Sequence, residues 1–534
     1  MAARVEAFGA ISTGSTGEAN CPICGDNRRT YLFVVRGLPV VRCPGCDLVF
    51  LSPQPKVADF GSFYRDDSQP IDPRLIWADS ATEQDAAQNY VRILQERGAA
   101  GGRLLVIAPP GQGFRTAAES SGLTVELQVS IEEIADGSDL GEGRFDAAVV
   151  LFQLEKANNP VLILQVIHRA LRPGGVLLVV TPSLDSWPAR FFGDHWTEWR
   201  PENLYYFDPI LIQSVLLRAG FGEVLVDPER RLYTLQHIAD RASAFPRTTL
   251  TRLVTLLHRL VPTPVRDLRI RIASSAMIVS AVRGERRSRP LCSIIVPVYN
   301  ERETFSILMD ALLAKRLPGA DREIIVVESN STDGTREAVL KYQANPDVKL
   351  VFEDRPQGKG NAVRTGFAHA QGDVIMIQDA DLEYDLNDYD SLLEPLLNNR
   401  ALFVLGARHG GRWKMRQFTE QQSLSTFLNA GHVFFTTLIN VLYRQQMTDP
   451  FTMFKLFRRD CLYGLEFACR RFDFDHELVI KLVRKGYRPL EIPVNYRSRS
   501  FKEGKKVRLI RDPLTWLWID FKLRFTPLRR PSKR

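Results

Sequence analysis

Residues 374–377, Val-Ile-Met-Ile, are four apolar side chains in a row that run straight into Gln378-Asp379-Ala380-Asp381-Leu382-Glu383. A short apolar run without polar alternation reads as a strand buried on both faces, as in a parallel sheet. Such a strand ends at a sheet edge, where loops leave the core and a ligand can reach the backbone. Two carboxylates two residues apart, with a third acid at Glu383, are hard oxygen donors. They suit a divalent cation that shares its shell with phosphate oxygens. An isolated Asp-x-Asp is more often a solvated acidic turn, so its neighbours in the chain decide its meaning.

Those neighbours repeat the pattern. Cys292–Val296 reads as a strand running into Pro297-Val298-Tyr299-Asn300-Glu301, and Glu323–Val327 as a second that ends in Glu328-Ser329 and the turn Ser331-Thr332-Asp333-Gly334-Thr335. Gly358-Lys359-Gly360 opens a helix, and offers amides and one cation to a phosphate. Three parallel strands therefore bring acids or polar loops to one edge, where a doubly wound α/β fold binds nucleotide. Further on, Val404–Ala407 is a strand closed by Arg408, placed to meet a donor or acceptor phosphate. Asp449, in Thr448–Lys455, is a candidate general base for a hydroxyl acceptor, or else a cap or turn residue. Asp475, His476 and Glu477 open another helix.

These motifs resemble the family 2 glycosyltransferases of GT-A fold, on the branch of dolichyl-phosphate mannose synthase and polyprenyl-phosphate sugar transferases. The resemblance rests on Pro297-x-Tyr299-Asn300-Glu301, Ser331–Thr335, Asp379-Ala380-Asp381, Thr448–Lys455 and the basic segment from Arg499 to Lys505 and Lys506. It implies that Pro297, Tyr299 and Glu301 contact the base and ribose of a nucleotide-sugar, that Glu328 reads the base, and that Ala380 and Lys359 line the donor. Asp379 and Asp381 would hold Mg²⁺ or Mn²⁺ across the diphosphate, with Glu383 as a third contact. Arg499 and Lys505 would close over the phosphates. The implied activity is an inverting, metal-dependent transfer of a sugar to a lipid phosphate or glycan acceptor, with Asp381, Asp449 and Arg499 in catalytic roles.

Four of the seven cysteines, Cys21, Cys24, Cys43 and Cys46, have the spacing C-x2-C-x18-C-x2-C. Each pair sits on a tight turn that can aim two thiolates at one ion, the pattern of a closed structural zinc site. Two disulfides would need an oxidising compartment, and residues 1–20 show no apolar signal core.

Between the cysteines and the second half lies a further α/β run. Arg103–Ala108, Phe145–Leu151 and Val176–Val180 read as strands, with a helix from about Pro160 to Arg172-Pro173-Gly174-Gly175. Together with Thr181-Pro182-Ser183, Glu202–Phe207 and Ala219-Gly220-Phe221, this order resembles class I S-adenosylmethionine-dependent methyltransferases with an N-terminal zinc ribbon. The cofactor turn departs from that family. Val106 stands where an acid belongs, Pro109 and Pro110 crowd the glycine turn, and Glu126 is the one candidate for the ribose hydroxyls. Glu155-Lys156 stands where the family often has Glu-His. The resemblance thus implies a retained fold with a lost cofactor site, and S-adenosylmethionine is a doubtful ligand. From Asp227 to Ile272 the chain reads as helical, with an apolar stripe from Leu250 to Val261.

The expected organisation is a disordered N-terminus (1–20), a zinc ribbon (21–60), a methyltransferase-like domain (61–283), a linker (284–290), a GT-A domain (291–512) and a basic aromatic tail (513–534). That makes two Rossmann-like doubly wound α/β domains behind a small ribbon. Residues 497–534 carry ten more cations than anions, against a net charge of +8 for the whole chain, so the rest is slightly acidic. Trp516, Trp518, Phe521 and Phe525 interleave that charge, which suits an anionic membrane surface or phosphorylated ligand. The stretch 421–443 lacks charge but is studded with polar residues, so any membrane contact would be peripheral. A cytoplasmic enzyme is expected, with no nucleic acid as partner. The alternatives are a bifunctional methyltransferase–glycosyltransferase and a glycosyltransferase with a scaffolding first domain.

Overall fold

The computed structural model describes residues 20–55, 80–108, 113–135, 137, 139–234, 268–284, 287–398, 400–408, 422–497, 511–526 and 528. Arg499, Lys505, Lys506, the Pro109–Gln112 turn, the Leu250–Val261 stripe and the 1–19 terminus lie outside these residues. The chain divides into two compact units, Met1–Glu285 and Arg286–Arg534.

In the first unit, β1 (Thr30–Val35), β2 (Leu38–Arg42) and β3 (Val49–Leu51) form a small antiparallel sheet around the cysteines. β4 (Gly102–Ile107), β5 (Leu123–Val129), β6 (Phe145–Leu151) and β7 (Leu171–Pro182) follow. Next come β8 (Tyr205–Tyr206), β9 (Phe221–Thr234) and β10 (Arg269–Arg283). The main sheet has the order β5-β4-β6-β7-β10-β9. Its first four strands are mutually parallel, and β10 runs antiparallel to both β7 and β9. Within β4 and β6 the runs Leu104–Ile107 and Ala147–Leu151 are apolar, as befits strands at the centre of a parallel sheet. Leu104, Val106, Ala147 and Val149 face the Ser80–Glu96 helix, in one core with Tyr90 and Leu94.

Two features depart from the sequence reading. Residues 227–234 and 269–272 are strand, not helix, paired from Arg269↔Thr234 to Ala273↔Arg230. Here Pro228 would break a helix interior, whereas strand pairing buries Glu229 and turns Arg230 outward. Glu229 is fully buried and accepts hydrogen bonds from Tyr90, from Ser274 Oγ at 2.5 Å and from Arg231 Nε at 2.8 Å. The cysteine lobe also does not stop at residue 60. β3 pairs with β8 (Val49↔Tyr206), and Trp196, Trp199 and Tyr206 share a core with Val40 and Leu51.

The second unit is built on β11 (Leu291–Val298), β12 (Asp321–Glu328), β13 (Val348–Phe352), β14 (Val374–Ile377), β15 (Phe403–Arg408), β16 (Lys455–Arg458) and β17 (Leu490–Val494). The seven-stranded order is β13-β12-β11-β14-β16-β15-β17. All strands run parallel except β16. The order reverses between β11 and β14, the switch point where open α/β sheets take their ligands. Alternate residues of β11 serve opposite faces. Ile294 and Val296 pack with the Arg302–Ala314 and Tyr389–Leu397 helices, while Ile295 meets the Lys359–His369 helix. That second contact depends on Gly366, whose missing Cβ would lie 2.4 Å from Ile295 Cγ2. Among the described residues, no helix is long and apolar enough to cross a membrane.

Candidate functional site

The four predicted cysteines come together. Cys21 Sγ lies 3.5 Å from Cys46 Sγ, Cys24 Sγ lies 3.4 Å from Cys43 Sγ, and all four sulfurs fall within 4.8 Å of one another. These separations are too long for disulfides, and near the edge of roughly 3.8 Å that four Zn–S bonds of about 2.3 Å give a tetrahedron. Both turns close alike: the fifth residue of each, Gly25 and Asp47, takes a positive φ and donates its N–H to the first cysteine's carbonyl. Four thiolates around one ion would leave no position open for a substrate, the arrangement of structural rather than catalytic sites. Trp196 and Trp199, from late in the first unit, pack on this lobe.

At the carboxyl edge of the second sheet, hydrogen bonds lace the loops after β11 and β12. Asn300, at φ 51°, accepts from Thr332 N–H at 2.9 Å and donates its own N–H to Ser331 Oγ. Glu301 N–H donates to Thr335 Oγ1. Pro297 is half-buried one residue before the end of β11, and Tyr299 stands exposed just past that end. Glu328 is fully buried at the end of β12, where its Oε1 accepts Ser331 N–H at 2.6 Å and Arg336 stands 3.5 Å from Oε2. Ser329 and Asn361 both donate to Glu353, at 2.7 and 2.6 Å.

β14 delivers the acids. Lys359 Nζ sits 2.6 and 2.7 Å from the two oxygens of Asp379. Burial pulls the pKa of this ammonium down, but the charges of Asp379 and Asp475 outweigh it and raise the pKa. Ala380 is buried; Asp381 Oδ1 accepts Glu383 N–H at 3.2 Å. The Glu383 carboxylate accepts the Tyr496 hydroxyl at 2.7 Å, so it is drawn toward the chain beyond β17. Among the described residues, three or more metal-type ligand atoms gather only at the cysteines. Asp379, Asp381 and Glu383 share the loop without converging on one point.

Arg408 and Asp449, read separately from the sequence, form one unit. Arg408 Nε and a terminal nitrogen meet the two Asp449 oxygens at 2.7 and 2.8 Å, and its backbone N–H adds a third bond at 3.0 Å. Both residues are buried, and the guanidinium lies over the Tyr496 ring. Burial would raise the Asp449 carboxyl, yet Arg408 outweighs it and holds it at about 2. Both Asp449 oxygens are engaged by Arg408 in this arrangement, which disfavours drawing a proton from a hydroxyl. Asp449 positions Arg408, and the Arg408 charge is already neutralised. Glu491 in turn accepts the Asp449 N–H at 2.7 Å.

Sequence reasoning missed Lys455. It is fully buried on β16, 3.3 Å from Asp475, and burial lowers its pKa. The available signal was a lone cation between Phe454 and Leu456 in an apolar run, which needs a buried counter-charge. Asp475 supplies it and so does more than cap a helix.

The ion pair gives a pH-dependent prediction. Asp449→Asn should lose about 3–5 kcal/mol at neutral pH, because Arg408 remains buried without its partner. Asp449 titrates below its ordinary 3.8, so its share of stability is complete above that pH and disappears as pH falls through about 2. Acid-unfolding curves of wild type and variant should therefore converge toward pH 2; a constant gap counts against the assignment. For the cysteines, we expect one zinc per chain by metal analysis. Cys24→Ser/Cys43→Ser should lose it and shift the Trp196 and Trp199 emission to the red. A zinc-free wild type with unchanged melting and emission would refute this.

Residues 293–465 match the model of the family described as glycosyl transferase family 2. The dolichol-phosphate mannosyltransferase of Pyrococcus furiosus is 27% identical over 215 residues, 40% of this chain and 58% of that protein. A dolichyl-phosphate beta-glucosyltransferase of Trichomonas vaginalis is 29% identical over 219 residues, 39% of this chain and 64% of its own. The chain thus spans less than two thirds of the length of either relative. Among solved structures, glucosyl-3-phosphoglycerate synthase from Mycobacterium tuberculosis, in complex with Mn²⁺, uridine diphosphate and phosphoglyceric acid, is similar with a TM-score of 0.34 and 20% identity. The match covers 45% of this chain and 80% of that one. The stretch that matches the family model, residues 293–465, contains Asp379, Asp381, Arg408 and Asp449.

Proposed function

We propose that the second unit transfers a sugar from a nucleotide-sugar, with inversion, to a polyprenyl phosphate or related phosphorylated glycan intermediate. The observation that carries this reading is the placement of Asp379 and Asp381 directly after β14, at the point where strand order reverses, with Lys359 bound to the first of them. Their carboxylates are hard donors that fit Mg²⁺ or Mn²⁺, with Glu383 close by in sequence but turned to Tyr496. When bound, such a cation stabilises the charge that develops on a departing nucleoside diphosphate. Pro297, Tyr299, Glu301 and Glu328 are assigned to base and ribose, Ala380 to the donor, and Arg499 and Lys505 to the phosphates.

The state of Asp449 favours a phosphate acceptor. A hydroxyl acceptor needs a base, and this carboxylate is a poor one; a phosphate oxygen is anionic already. Peripheral contact with an anionic, cytoplasm-facing membrane surface fits the Arg511–Phe525 helix. Leu514, Trp518, Phe521 and Phe525 recur there at helical spacing, and Trp518 is 67% and Phe525 81% exposed. The relatives whose names specify dolichol-phosphate and dolichyl-phosphate point the same way.

For the first unit we infer a non-catalytic scaffold on a methyltransferase-like sheet. Glu126, the candidate ribose acid, is held by Arg144 at 2.6 Å with Arg103 at 3.7 Å, and the β4 position for an acid is the buried Val106. Glu155 is buried and donated to by Thr181 at 2.9 Å, and burial pushes its carboxyl up to about 7.

A donor-hydrolysis screen across nucleotide-sugars with Mg²⁺ and Mn²⁺ tests the first reading. One donor should turn over, and Asp381→Asn should lower that rate by about a hundredfold or more. Undiminished turnover in the variant would remove the metal assignment. For the first unit, calorimetric titration of the whole chain with S-adenosylmethionine should show no binding. Micromolar affinity would overturn the scaffold reading.

A further inference from the structure

We propose that Lys359 is an internal cation which makes divalent-metal binding at Asp379 depend on a bound diphosphate. The inference rests on the glycosyltransferase reading and names how that site is regulated by its own donor.

Lys359 is held at the first position of its helix by contacts that leave the backbone little room to move. Gly358 has φ 100°, and a Cβ there would lie 2.6 Å from the Arg470 carbonyl oxygen. At Gly360 a Cβ would lie 2.4 Å from that of Phe474. Asn361 bonds through its N–H to the Arg470 carbonyl at 3.0 Å and through its side chain to Glu353 at 2.6 Å. From this fixed start the ammonium reaches both Asp379 oxygens, the atoms that a divalent ion would need. The side chains behind it alternate in sign. Asp475 couples to Lys359 and lies 3.3 Å from the fully buried Lys455.

A divalent cation approaching Asp379 alone must share that carboxylate with the ammonium or displace it. Displacement would leave Lys359 in a low-dielectric site beside a second, higher charge, with Lys455 preventing retreat toward the core. A diphosphate changes the balance, because its oxygens accept the ammonium while binding the metal on another side. The helix N-terminus that carries Lys359 also favours phosphate there. Metal and nucleotide therefore bind with positive coupling, and by linkage each raises the other's affinity by the same factor. Without its donor, the acidic pair would stay closed to metal.

The test measures Mn²⁺ binding to the 534-residue chain through the electron paramagnetic resonance signal of the free ion. It is run alone and with UDP or GDP, and corrected for the Mn²⁺–nucleotide complex in solution. In wild type, one of the diphosphates should tighten Mn²⁺ binding by about 5- to 150-fold. Lys359→Met should bind Mn²⁺ alone more tightly than wild type and lose most of that gain. Lys359→Arg, which keeps the charge, should retain the dependence. If Lys359→Met fails to fold, wild type decides: Mn²⁺ binding that is equally tight with and without diphosphate overturns the proposal. Unchanged Mn²⁺-alone affinity in a folded Lys359→Met chain overturns it too. Failure of UDP, GDP, ADP and CDP all to bind in the presence of Mn²⁺ would instead overturn the glycosyltransferase reading, and this inference with it.

Discussion

The parallel pairing of β11 with β14, Cys292↔Val374 through Ile295↔Ile377, is the constraint on which the second unit depends. The two strands are far apart in sequence, and between them the chain builds β12 and β13 on one side before returning to the other. That return sets the strand order and puts the loops after β11, β12 and β14 on one edge. Where both faces are covered, as on β11 and β14, the middle of the strand is apolar. Acids can enter only at the ends, and there each needs a compensating donor. Ser331 N–H serves Glu328, Lys359 serves Asp379, Tyr496 serves Glu383 and Arg408 serves Asp449. Donor groups rather than solvent hold these side chains in place.

This explains what could be read in the sequence. The strands were legible because burial on both faces leaves unbroken runs such as Val374–Ile377, and their acidic ends were legible because they are local. The pairings of those acids were not. Lys359 and Asp379 are 20 residues apart, Arg408 and Asp449 are 41 apart, and Tyr496 lies 113 beyond Glu383. Only the sheet order brings them together, and nothing in a residue's immediate neighbours encodes that. Asp449 therefore read as a candidate base, or a cap or turn residue, with no sign of its ion pair with buried Arg408.

In the first unit the same limit applies differently. The cysteine spacing was sufficient, because two turns with two thiolates each form a centre with little help from the rest of the chain. The lobe's boundary was not visible, since its last strand is Tyr205–Tyr206 and two tryptophans far from the cysteines complete its core. Residues 227–234 read as helix because their charged residues suit either state. Their strand form is decided by β10, which supplies both the ladder and Ser274 as a donor to buried Glu229.

The C-terminal helix of the second unit shows how a surface element can be tied to a buried ion pair. The Arg511–Phe525 helix exposes Trp518 and Phe525 but turns Trp516 inward, where it stacks on His476 at 5.3 Å and an interplanar angle of 17°. His476 bonds Asp520 of the same helix at 2.8 Å and stacks on its other side against Phe451 at 4.4 Å. Phe451 lies two residues beyond Asp449, in the turn that Asp449 closes with Thr452 N–H. The stacked rings and the His476–Asp520 pair together join the helix to the domain. The imidazole needs its carboxylate, and the carboxylate can be buried only with that partner. The exposed stripe thus stands on the same packed elements that hold Arg408 and Asp449. A change in how that helix seats would have to pass through closely packed rings to reach the pair.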